Sequence, residues 1–91
     1  MSERIERMRA QLIATFQPLE CRLDDDSHLH VGHAGAAGGA GHYRVHLVSA
    51  SFEGLGRLAR HRLVYDALRD MMQDEIHALN ISAVAPSELN R

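Results

Sequence analysis

The chain has 91 residues, enough for one small domain and too few for a second with its own core. Hydrophobic residues make up 45% and charged residues 24%, the balance of a folded globular chain, so wholesale disorder is excluded. The net charge of −2 disfavours a strongly basic nucleic-acid binder, and the seven histidines would carry it to positive values at about pH 6.

With no Trp, two Phe and two Tyr, the core has to be aliphatic. The single cysteine, Cys21, rules out an intrachain disulfide and any site needing several thiols from this chain. It also points to a reducing, cytoplasmic setting. No apolar run approaches the ~20 residues of a membrane span, and Met1-Ser2-Glu3-Arg4 leads into no signal-peptide apolar region.

Ile5, Met8, Leu12, Ile13 and Phe16 recur at helical spacing among charged residues and predict an amphipathic helix of about four turns. Ser2 is its expected N-cap and Pro18 its stop. Leu19, Cys21 and Leu23 then alternate with Glu20, Arg22 and Asp24, the period of a half-buried strand. Five of the seven glycines fall between Gly32 and Gly41, so residues 27–42 read as a mobile loop carrying His28, His30, His33 and, at its base, His42.

Tyr43, Val45 and Leu47 predict a second strand, joined to the first as a long-looped hairpin. After a turn at Phe52–Gly56, the spacing of Leu58, Leu63, Val64, Ala67, Leu68, Met71 and Met72 predicts a short helix near 56–60, a tight turn and a longer helix near 61–73. His77, Leu79, Ile81 and Ala83 alternate as a third strand, and Pro86 suits the first position of a terminal helical turn. The order αββααβ describes a single α+β domain over residues 1–91. Its mixed three-stranded sheet carries the helices on one face, with strands two and three parallel across a helical crossover.

Histidine carries most of the chemistry. His28, His30 and His33 are spaced to converge on one ion, and imidazole suits Zn, Cu, Ni and Fe. The competing reading is a set of solvated loop side chains. Cys21 falls in the apolar register of the first strand, which predicts a buried, inert thiol. No phosphate-binding or dinucleotide fingerprint is present, and no catalytic constellation marks an enzyme. Arg57, Arg60, His61 and Arg62 make a basic cluster around the expected helical bend, able to touch phosphates or simply to solvate a helix face.

Several segments carry a more specific signal. They are Phe52-Glu53-Gly54, Arg60-His61-Arg62-Leu63-Val64-Tyr65 and Ile76-His77-Ala78-Leu79. Upstream stand Asp26-Ser27-His28-Leu29-His30, His42-Tyr43-Arg44-Val45 and Val48-Ser49, and downstream Ala85-Pro86-Ser87-Glu88. In these segments, spread over nearly the whole chain, the sequence resembles the BolA family.

The resemblance implies a BolA fold with class II KH-like topology. It also implies a non-enzymatic adaptor that pairs with a monothiol glutaredoxin and shares a [2Fe–2S] cluster in iron–sulfur trafficking and iron or stress regulation. The family's cluster ligands are a His at the start of the last strand, which maps onto His77, and a His or Cys in the loop after strand one, which maps onto His30 with His33 as a close rival. His61 belongs to the family motif and is expected to cap or orient the helical turn.

A [2Fe–2S] cluster needs four ligands. Glutaredoxin and glutathione thiols would supply the rest, and no cluster is expected to stay tightly on the isolated chain. No membrane or small-molecule substrate is implied. The alternative, from a different class, is a DNA-binding transcriptional regulator of the stress or cell-morphology type, using the helix-turn-helix region with Arg57, Arg60 and Arg62. Gly54-Leu55-Gly56-Arg57 does not match the GxxG loop of nucleic-acid-binding KH domains.

Overall fold

The computed structural model describes residues 3–27 and 39–90. Helix α1 spans Glu3–Phe16 and buries Ile5, Met8, Leu12 and Phe16, one side chain per turn. Ile13, which has helical spacing too, is 47% exposed at the stripe's margin. Gln17 ends the helix in the left-handed region at φ 46°, its amide donating to the Ile13 carbonyl, and Pro18 follows. The expected cap, Ser2, lies outside the described residues.

Strand β1 (Glu20–Asp25) pairs antiparallel with β2 (Gly41–Val48), placing Cys21 opposite Leu47 and Leu23 opposite Val45. Strand β3 (Ile76–Val84) pairs parallel with β2, with Val45 opposite Ile81, in the order β1-β2-β3. The mixed sheet, the hairpin and the parallel crossover therefore agree with the sequence reading. The return strand begins at Gly41, so His42 stands on a strand and not on the loop. Most of the expected mobile loop, including His28, His30 and His33, lies outside the described residues.

Between β2 and β3 the helical region departs from expectation. Helix α2 runs unbroken over Arg57–Ala67, and the interruption falls at Leu68 (φ −108°, ψ 17°), before the single turn of α3 at Arg69–Met72. The long piece therefore comes first. Leu58 and Leu63 suggested an apolar stripe with a bend, yet they are 65% and 37% exposed, and α2 buries only Val64 fully. Leu68 is wholly buried and accepts from the Met71 and Met72 amides, so the chain turns where that side chain enters the core.

Helices and sheet meet in one cluster of Met8, Leu12, Leu47, Val64, Leu68 and Met71, beneath the inward face of the sheet. The opposite face carries Arg22, Asp24, Arg44, His46, Asn80 and Ser82 around an open hollow of about 280 Å³. Ser49 joins three elements. Its hydroxyl donates to the Phe16 carbonyl at 2.8 Å and accepts from the Ser51 amide at 3.1 Å, while its amide donates to the Val84 carbonyl at 3.0 Å.

Candidate functional site

The parallel ladder carries an irregularity where the histidines stand. Gly41 lies opposite Ile76, but His42 lies opposite Ala78, which leaves His77 as the extra residue of a bulge. A bulge re-aims the side chain it carries and often does so beside a functional site. Here it leaves His77 exposed, with its ring centroid 5.0 Å from that of His42 and the two planes tilted by 50°.

His42 is held from the hairpin side. Its amide donates to the Ser27 hydroxyl at 3.1 Å, and its carbonyl accepts from the Asp26 amide at 2.7 Å. Its Nε2 is shielded from solvent, so the ring packs behind His77 while His77 itself faces water. His42 is the residue that the sequence reading missed as a partner of His77. The only signal was its place beside the family-like Tyr43-Arg44-Val45. His42 and His46 also show an H-x-x-x-H spacing, but on a strand four residues span about 13 Å, too far to share one ion.

A groove of about 450 Å³ opens beside this pair. Asp26, His42, Arg44, Arg57, His61 and Asn80 are among its lining residues. Arg44 is tied to Asp26 at 2.6 Å. Half-buried His61 lies inside α2 and faces this groove, whereas the N-cap residue of that helix is Gly56, with no side-chain cap bond. The capping role expected of His61 is therefore not what the geometry gives.

The three arginines do not act as one patch. Arg60 donates to the Leu55 carbonyl at 2.8 Å and the Ala83 carbonyl at 3.0 Å, and it forks onto both oxygens of Glu88 at 2.7 and 3.0 Å. Arg62 is exposed about 200° away around the same helix, and Arg57 faces the groove. The basic cluster around a bend is thus one continuous helix on which Arg57 and Arg60 line a common hollow while Arg62 points elsewhere.

Cys21 is half-buried against the core on the inward face. Burial pushes its thiol above the ordinary range, against the opposing pull of Arg9. On the outer face His46 Nδ1 lies 2.9 Å from Ser82 Oγ, and its Nε2 lies 3.8 Å from Glu20 Oε2. The second distance is longer than a hydrogen bond, so the row is a cross-strand tie and not a nucleophilic relay. Among the described residues no three of His, Cys, Asp and Glu gather as a metal site, and no helix is long and apolar enough to cross a membrane. His30 and His33 lie outside the described residues.

The described residues thus form a small α+β domain that presents the His77 imidazole on a strand bulge beside a groove. Comparison with known proteins gives the family. A family model described as "BolA-like protein" matches residues 12–88. The chain is 41% identical to the chloroplastic protein BOLA1 of Arabidopsis thaliana, over 97% of this chain and 57% of that protein. It is 38% identical to an uncharacterised protein in the cobS 5′ region of a Sinorhizobium species, over 94% and 95% of the two chains.

Among solved structures it superposes on the BolA domain of SufE1 from Arabidopsis thaliana with a TM-score of 0.86 at 36% identity, covering 97% of this chain and 98% of that one. Mouse BolA1 gives 0.80 at 37%, covering 99% and 71%. The chain belongs to the BolA family. It spans 57% and 24% of the lengths of two curated Arabidopsis relatives, the second a SufE-like protein.

Proposed function

We propose that this chain is a non-enzymatic adaptor that binds a monothiol glutaredoxin and co-ligates a [2Fe–2S] cluster for iron–sulfur trafficking and iron or stress regulation. The observation that carries the reading is His77, set out on a bulge at an exposed edge with His42 packed behind it.

The donor chemistry fits. Imidazole is an accepted ligand on one iron of a [2Fe–2S] centre. The chain's one thiol packs against the core on the inward face of the sheet, and burial pushes its pKa up, which disfavours the thiolate a metal needs. No described cluster completes a four-ligand set. His77 with His30 or His33 would therefore cap one iron, and the thiolates for the other would come from the glutaredoxin and glutathione.

The test is co-expression with a monothiol glutaredoxin, followed by visible absorption and circular dichroism of the purified pair. The expected result is a coloured 1:1 complex with a spectrum unlike that of the glutaredoxin homodimer, abolished by His77→Ala. Either His30→Ala or His33→Ala is expected to abolish it as well, which assigns the loop ligand. An unchanged glutaredoxin spectrum, or a complex indifferent to His77→Ala, would sink the reading. DNA binding keeps only Arg57 and Arg62 of its three arginines, because Arg60 is committed to the fold, and no specific contact in the structure favours it.

A further inference from the structure

The bulge that sets out His77 interrupts the β2–β3 ladder at the point where the two histidines must stay together. Besides the backbone bond from Gly41 to Glu75, a side chain joins the starts of the two strands there, and it comes from α1, 35 to 71 positions away in sequence. Arg4 reaches in from the first turn of α1. Its Nη1 lies 3.0 Å from the Glu75 carbonyl, 3.1 Å from the Gly39 carbonyl and 3.2 Å from the Tyr43 hydroxyl. A guanidinium nitrogen of this kind carries two protons, so the three acceptors are drawn to one point and share them.

These acceptors bracket the histidine pair. Gly39 and Tyr43 lie on either side of His42, and Glu75 stands two residues before His77. Tyr43 is buried, and its ring closes over Gly41 so tightly that a Cβ there would lie 2.6 Å from the ring. That approach, open only to glycine, aims the hydroxyl at Arg4. The Gly41 amide also donates to the Glu75 carbonyl at 3.0 Å. The Glu75 carboxylate is drawn to the same helix by Arg7, whose Nη1 is 3.0 Å from Oε2, and by Arg4 Nε, 3.6 Å from Oε1.

We infer that Arg4 is a positioning residue that, through Tyr43, Gly39 and Glu75, holds the starts of β2 and β3 together and so keeps the His77 ring against His42. This deepens the cluster-binding reading and rests on it for its purpose. The geometry itself belongs to the isolated chain, so the two can fail separately.

The experiment uses the isotope-labelled chain alone and reads the cross-relaxation peak between the His42 and His77 ring protons by NMR, with a thermal melt alongside. Arg4→Met keeps the side-chain length and deletes the donors. It is expected to weaken the ring-to-ring peak at least fivefold while the amide signals of β1 and α2 stay in place. A lower melting temperature with an unchanged peak would mean that Arg4 is merely structural and would overturn the inference. Should Arg4→Met fail to fold, Arg4→Gln, polar but too short to span the three acceptors, takes its place. A weaker peak then supports the clasp and an unchanged one rejects it. Failure of the wild-type chain to form a coloured complex would overturn the cluster reading and leave this result standing.

Discussion

Ser49 shows how much one side chain can carry in a domain this small. It is 1% exposed, and its hydroxyl both donates to the end of α1 and accepts from the turn after β2. Ser49→Ala would leave the buried Phe16 carbonyl and the Ser51 amide without that partner, at a cost of about 1–3 kcal/mol. Urea unfolding should show a lower midpoint with an unchanged slope. A change under about 0.5 kcal/mol, the level of an ordinary surface substitution, would refute the assignment.

Cys21 shows a different case: the alternation of the first strand put it on the inward face, where it is half-buried and not fully buried as expected. Its packing against the core follows from facing Leu47 across the ladder. His77 could be placed at the start of a strand from sequence, but its exposure depends on the bulge. That bulge arises from how β2 and β3 pair, and the local pattern holds no trace of it.

At the scale of elements, the Arg60–Glu88 fork decides how the end of β3 and the last turn sit on α2. Arg60 bridges α2 to the Leu55 and Ala83 carbonyls, and Glu88 in turn accepts from the Ala85 amide at 2.8 Å. Arg60→Met should therefore lower the melting temperature by several degrees and increase amide exchange over 83–90, with little change in β1. A variant that melts like the wild type but loses affinity for DNA would show that the fork is incidental.

The sequence placed Arg60 in a basic run, where charge alone suggests solvent or phosphate. Besides Leu55, its acceptors lie 23 and 28 residues downstream, and no spacing rule reaches that far. The helical bend was misplaced for a related reason. Leu58, Leu63, Val64, Leu68 and Met71 fit more than one apolar stripe. Which of them is buried depends on how α2 meets the sheet and α1, and that contact selects Val64, Leu68 and Met71.

For the molecule as a whole, acid stability should follow two carboxylates. The hydrogen bond from Arg7 holds the Glu75 carboxyl below the usual range, and the hydroxyl and amide of Ser87 do the same for Glu53. A group whose folded-state value is depressed binds fewer protons than the unfolded chain over the interval between the two values. Its contribution is therefore complete above the ordinary carboxylate range and is lost as pH falls through the depressed one. Denaturant midpoints measured from pH 7 downward should drop in that window. The gap between wild type and Glu75→Gln should be widest at neutral pH and close as the medium becomes acidic. No gap at any pH would mean that Glu75 acts only through its backbone carbonyl, and a gap constant with pH that its ionisation contributes nothing.

The six-element order, the faces of α1, β1 and β2 and the family resemblance were all present in the sequence. Each depends on residues near one another in the chain: a repeat of three or four for Ile5, Met8, Leu12 and Phe16, and a repeat of two for Tyr43, Val45 and Leu47. The pairing of His42 with His77, the reach of Arg4 to Glu75 and the burial of the Arg60 fork come from folding alone. They join residues 23 to 71 positions apart, and periodicity records the direction in which a side chain points but not what it meets there.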